Sequence, residues 1–329
     1  MIRKIQRDTL MAELQSLRAL LIGAEGAAPL TALSLKARLA GVEEELSALE
    51  REMRLTGEVA IFFTGKRVQG SRGIDAEFAT NSLRHYQDLV SKTVLHRLRG
   101  PLAQRGPLKE REVARLNITG TAPGSFGFVL EEDGADQSPL FPTAVKEAME
   151  QVTELLKAFS SPEEAAFASA FDDLDPRTLK SLKDLLEDLN ESEATMRLVE
   201  GDREVSLDRQ SVERAAERAS QSRVDEREVE IEGRLIGIGP TRRTFEFRRE
   251  DTGDVLTGRV DSQLSGAFLR RVTESPVEIG ERRVARMLVR ETERRGASPR
   301  ITYTLLNLSD ESAADEDIAD FDDDQADGA

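Results

Sequence analysis

The chain has 329 residues, room for two or three domains, and no cysteine, which excludes disulfide staples, thiolate metal sites and cysteine nucleophiles. Its formal charge is −16, but Asp310–Ala329 alone holds ten acids and no base, so 52 of the 62 acids remain to face 46 bases in the body. The acidity is local, and the body repels nucleic acid less than the overall charge suggests.

No apolar run approaches the roughly 20 residues that cross a bilayer. The opening segment, MIRKIQRDTLMAELQ, is charged throughout and lacks the apolar core and cleavage site of a signal peptide. The expectation is a cytosolic, bacterial protein with no membrane partner. The excess of Arg over Lys reads as the imprint of a GC-rich genome.

Leucines at 10, 14, 17 and 21 are spaced 4-3-4. Leu35, Leu39, Val42, Leu46, Leu49 and Met53 continue the same spacing after the loop GAEGAAPL. These are a/d seams, and they predict an antiparallel, coiled-coil-like helical hairpin over 1–56. A two-helix hairpin has a thin core. It needs a further partner, either the body of the protein or a second copy, and Leu35, Leu39, Leu46 and Leu49 are the candidates for self-association.

From Gly57 the pattern changes. EVAIFFT predicts a strand over 58–64, and Asp75 predicts the cap of a helix running to about Leu98, with Phe78, Leu83, Tyr86, Leu89, Val90 and Val94 on its apolar side. RGPLAQRGP reads as a linker or loop. VARLNIT (113–119) and SFGFVLEE (125–132) predict a hairpin around GTAPG. Helices follow near 142–159, 161–172 and 176–189, the last with Asp175 as cap and Pro176 at its first position. A short hairpin, TMRLVE–GD–REVSLD, and a helix over 208–222 complete a central α+β domain, 57–222.

Residues 226–309 switch to period two. Val229, Ile231 and Leu235 share one face, opposite Glu230, Glu232 and Arg234. The alternation then breaks, which predicts a bulge near Gly233 or Gly237. Five short strands, with a helical stretch over 263–273 between the third and fourth, predict a small SH3- or OB-like β-barrel. The acidic tail, 310–329, is predicted to be disordered. The fold class is thus multidomain α+β.

Candidate chemistry is sparse. Asp251-Thr252-Gly253 matches an aspartic-protease triplet but follows RRE rather than an apolar strand, and reads as an Asp-Gly turn. Gly65-Lys66 follows a strand, yet Arg67 replaces the Ser or Thr of a phosphate-binding loop. Gly124-Ser125-Phe126-Gly127 precedes no helix that could hold an anion. Both stretches read as hairpin chemistry. His85 and His96 are the only histidines, and eleven residues of helix hold them about 16 Å apart, too far to share a metal. Asp88, one turn from His85, is its expected partner. No catalytic residue, metal or cofactor is expected.

Two binding features remain. Ile318 and Phe321 are apolar anchors in the acidic tail, suited to docking on a basic groove or on the protein's own arginines. The barrel carries Arg doublets, of which Arg242, Arg243, Arg248 and Arg249 are the candidates for phosphate contacts. Phe245 and Phe247 share a strand face and read as core rather than base-stacking. The barrel segment has 16 Arg against 14 acids, close to neutral.

The leading expectation is a non-enzymatic modular interaction or scaffold protein. It self-associates through the hairpin and binds a protein partner through barrel and tail. One alternative is a nucleic-acid-binding protein with an autoinhibitory acidic tail. A second is an enzyme whose site, in the α+β domain, is not visible in sequence.

Overall fold

The computed structural model describes residues 2–24, 29–51, 54–99, 114–122, 126–134, 139–172, 174–239, 241–261, 264 and 280–309. The chain divides into two compact units, Met1–Arg223 and Val224–Ala329.

The first unit opens with the expected hairpin, α1 (Arg3–Ala24) and α2 (Pro29–Arg51). Leu10, Leu14, Val42 and Leu49 are buried in its seam, with Leu17 and Leu46 packed against them. Arg38 pairs with Glu13 at 2.7 Å and Arg18 with Glu43 at 2.9 Å, so the flanking charges also close across the two helices.

Behind the hairpin lies a five-stranded antiparallel sheet in the order β2 (Leu116–Ala122), β3 (Phe126–Glu132), β1 (Glu58–Gly65), β4 (Ala194–Glu200), β5 (Arg203–Leu207). The central strand β1 is buried along Glu58–Phe63, which explains its unbroken apolar run AIFF. Phe63 meets Phe78 edge-on at 5.4 Å, on the face shared with α3 (Ala76–Arg99). On the other face Ala60, Phe62, Ala122 and Val199 cluster with Ile2, which is 1% exposed. The first turn of α1 is therefore a lid on the sheet. Salt bridges from Lys4 to Glu204 (2.9 Å) and from Arg7 to Asp202 (3.1 Å) hold it there.

The helices on the α3 face are capped as their sequences dictate. In α4 (Ala144–Ser160), Thr143 accepts from the Lys146 amide at 3.1 Å. In α6 (Pro176–Glu191), Asp175 accepts from the amides of Arg177 and Thr178, with Pro176 in the first turn. In α7 (Arg209–Ser220), Asp208 accepts from Ser211. A short α5 (Glu164–Asp172) contributes Phe167 and Phe171 to the core.

The second unit is a closed barrel with strand order β10-β8-β7-β6-β9. Its strands are β6 (Arg223–Gly239), β7 (Thr244–Arg249), β8 (Val255–Val260), β9 (Arg282–Glu293) and β10 (Arg300–Ser309). β6, β7 and β8 form an antiparallel meander, β10 pairs with β8 in parallel, and β9 lies antiparallel to β10. The expected bulge falls between Leu235 and Gly237. Apart from Leu264, the predicted helical stretch 263–273 lies outside the described residues, as does the tail 310–329.

Leu235, Phe245, Phe247, Leu256, Val260, Ala285, Met287 and Leu305 fill the interior. Two glycines make room for the rings. A Cβ on Gly233 would lie 2.6 Å from Phe247 and 2.1 Å from the Arg248 carbonyl oxygen; one on Gly258 would lie 2.8 Å from Phe245 and 2.1 Å from the Tyr303 carbonyl oxygen. These clashes involve backbone atoms, which yield little.

Gly258→Ala is expected to loosen the parallel β8–β10 seam and to lower the stability of the second unit by about 1–3 kcal/mol. Thermal unfolding followed through near-ultraviolet circular dichroism checks this. Leu14→Ala empties the hairpin seam and is expected to cost about 2–5 kcal/mol, seen as early loss of helical signal on denaturant titration.

Candidate functional site

The sequence-selected arginines separate into two kinds. Arg243, in the β6–β7 turn at φ +49°, donates to the carbonyls of Asp261 and Leu264, the latter at 2.8 Å. Arg249 grips Asp251, with Nε donating to Oδ1 at 2.8 Å. Both arginines are used by the fold. Arg242 and Arg248 are exposed and make no hydrogen bond or ion pair among the described residues. Arg259, exposed on β8, is likewise without one and was missed because it stands alone in the sequence rather than in a doublet.

Other barrel arginines meet acids. Arg282 pairs with Glu232 at 2.8 Å, Arg286 lies 3.9 Å from Glu228, and Arg290 lies 3.8 Å from the buried Glu226. These three pairs run from β9 to β6, across the joint that closes the barrel. They account for much of the near-neutral balance of the segment.

Phe245 and Phe247 are 1% and 0% exposed, so neither can stack on a base. Asp251-Thr252-Gly253 forms the β7–β8 turn. Asp251 accepts from Arg249 and from the Thr252 amide, and Gly253 has φ +74°. The Arg249 guanidinium holds the Asp251 carboxyl below its usual range. Gly65 and Lys66 end β1 in another turn, where Lys66 pairs with Glu193.

The self-association candidates face inward to different degrees. Leu49 is buried in the seam, Leu46 packs against it, and Leu35 and Leu39 are half-buried. The most exposed large apolar residues of the hairpin are instead at its far end: Leu20, Ile22, Leu30 and Leu33, each at least 60% exposed. Ile318 and Phe321 lie outside the described residues.

The two histidines face different acids of α6. His96 Nδ1 is 3.8 Å from Asp175, whereas His85 is held below its usual pKa by burial and the nearby Arg84, against the opposing pull of Asp184 and Asp188. Between them Lys92 donates to Ser181, and burial lowers the Lys92 pKa. A lysine of lowered pKa beside a serine has the composition of a nucleophilic pair, but Ser181 is 1% exposed and out of reach of a substrate. Among the described residues no group of three or more ligands could hold a metal ion, and no helix is long and apolar enough to cross a membrane.

One cavity of the first unit, about 360 Å³, lies where β1 begins, β4 turns into β5 and α4 starts. Its walls bring cations and carboxylates together. Lys146 lies 3.4 Å from Glu150 and 3.7 Å from Glu200, and Arg203 lies 2.8 Å from Glu150 and 3.5 Å from Glu200. Arg54 pairs with Glu58. The two carboxylates diverge. Burial pushes Glu200 up, and the nearby cations do not offset it. Burial acts the same way on Glu150, but Arg203 and Lys146 outweigh it and leave Glu150 below its usual range. The sequence hid this group because its members come from three separate segments.

Compared with models of known families, with curated proteins and with solved structures, the chain matches none. The functional reading therefore rests on its own geometry.

The folded state holds the Glu200 proton more tightly than the unfolded chain does. Its unfavourable contribution is fully present above the raised folded pKa and disappears below the ordinary value of 4.5. Glu204, lowered chiefly by its hydrogen bond from Lys4, has the opposite sign: its stabilisation is present above 4.5 and is lost as acid protonates it. Glu200→Gln is accordingly expected to raise the melting temperature at neutral pH, with the gain vanishing in acid. Thermal melts of both proteins across pH check this.

Proposed function

We propose that this protein is a non-enzymatic, modular interaction protein in which the barrel binds a partner and the hairpin serves assembly. The carrying observation is the strand order of the barrel. A meander β6-β7-β8, a fifth strand parallel to the third and a fourth strand closing on the first is the order of an OB-type barrel. SH3-like barrels lack that parallel pair. OB-type barrels present the face of their second and third strands to extended oligomeric ligands. Here that face is the outer surface of β7 and β8, where Thr244, Glu246, Arg248, Thr257 and Arg259 are exposed. Fold analogy is the warrant for the mode of binding, and the exposed polar residues are the warrant for the place.

Assembly draws on the exposed far end of the hairpin rather than on its filled seam. Leu30 and Leu33 sit one helical turn apart there, with Leu20 and Ile22 on the adjoining helix.

A screen of the whole protein against an oligonucleotide, an oligosaccharide and an acidic polypeptide tests the barrel. Saturable binding of one class is expected, weakened by Thr257→Trp at the centre of the face. Absence of binding to all three, or binding indifferent to that substitution, removes the reading. Light scattering tests the arm. The whole protein is expected to self-associate, and Leu30→Ser with Leu33→Ser to reduce its mass. Deleting residues 1–55 would be a poorer test, because Ile2 belongs to the sheet core.

A second reading is favoured by the cavity of the first unit. Two carboxylates bridged by the same cations, one raised and one lowered, have the protonation asymmetry of an acid–base pair. Ion-pair networks with a purely structural role perturb pKa values in the same way.

A further inference from the structure

Where the barrel uses an arginine to hold itself together, an acid or a carbonyl meets it. On the outer face of β7 and β8 the pattern changes. Arg234 of β6 stands directly opposite Arg248 of β7 in the strand register. Like charges facing each other across a ladder repel, so the fold gains nothing from the pair. Arg234 is itself used by the fold: it donates to the Gly280 carbonyl at 3.0 Å and lies 3.7 Å from Glu250. Arg248 and Arg259 have no hydrogen-bond or ion-pair partner among the described residues. The neighbours supplied to Arg259 are hydroxyls: Thr244 lies opposite it on β7 and Thr304 beside it on β10.

We infer that this face grips the phosphodiester backbone of a single-stranded nucleic acid through Arg248 and Arg259, without reading its base sequence. The inference rests on the proposed role of the barrel as the binding module and names its partner class.

Guanidinium groups bind phosphate oxygens bidentately, and threonine hydroxyls add neutral donors. From β7 to β8 is one strand spacing, about 4.8 Å, a strip suited to one backbone. Along β7 and β8, Arg248 and Arg259 are offset by four residues, about 13 Å, so they engage different phosphates of one strand. An acidic polypeptide is the poorer fit, because peptide docking also uses apolar pockets for anchoring side chains. The large apolar residue of these strands that points outward is Val255, opposite Arg248 at the start of β8, and a single such residue makes no pocket. Phe245 and Phe247 are inside, so stacking contributes nothing and sequence preference is not expected. Glu246, exposed between Thr244 and Arg248, is the opposing charge on β7.

The test is fluorescence anisotropy of the full-length protein with labelled oligothymidylate and oligodeoxyadenylate, beside polyglutamate and a neutral oligosaccharide. The chain ending at Ser309, which keeps every described strand, is measured in parallel. Both homopolymers are expected to bind with similar affinity that falls with salt. Arg248→Ala and Arg259→Ala should each weaken both several-fold and reduce the salt slope by about 0.7. Glu246→Gln should tighten binding. The inference is overturned if neither chain binds either homopolymer at low salt, or if the arginine substitutions leave affinity and slope unchanged. Polyglutamate or oligosaccharide binding without homopolymer binding overturns it too, but leaves the barrel as a binding module. Silence of all four probes removes both.

Discussion

The inward placement of Phe245 and Phe247 governs the second unit. Each ring lies over a glycine of a neighbouring strand, Gly258 or Gly233, and any larger residue there would strike backbone. Because side chains alternate along a strand, fixing these two rings inside fixes Thr244, Glu246 and Arg248 outside. A slip of one residue would exchange the core with the proposed binding face. The chemistry offered to a partner is thus a consequence of how the interior is packed.

A comparable constraint orders the first unit. β1 is buried on both faces, so the sheet needs a cover on each side. The helices supply one cover and Ile2 at the start of α1 supplies part of the other. The hairpin is tied to the sheet at its base, and its far end keeps its leucines in solvent. An arm held at one end and apolar at the other suits assembly better than a hairpin hung on a flexible joint.

Charge plays three roles in this chain. Across the β9–β6 joint, arginine and glutamate alternate in matched pairs and close the barrel. On β7 and β8, arginines stand among threonines. In the cavity beside α4 the same residue types form a network whose carboxylates are driven apart in acidity by burial and by Arg203 and Lys146. Composition cannot separate these cases, since all three draw on the same arginines and glutamates of the chain.

The hairpin seam, the capped helices and the two-residue alternation of the barrel were legible in the sequence, because each is a local periodicity or a cap set by neighbouring residues. The bulge beside Gly237 and the turn role of Asp251-Thr252-Gly253 were legible for the same reason, as was the interior position of Phe245 and Phe247. What the tertiary structure decided was partnership. Arg243 and Arg249 look like Arg242 and Arg248 in a string of letters, yet the fold consumes the first two in holding Leu264 and Asp251. Arg259 joined Arg248 on one face only when β7 and β8 came side by side. Glu150 and Glu200 met only when α4 crossed the end of β4. Periodicity is a property of adjacent residues, whereas an electrostatic site is a property of distance in space, and the chain returns to the same place from segments far apart in sequence.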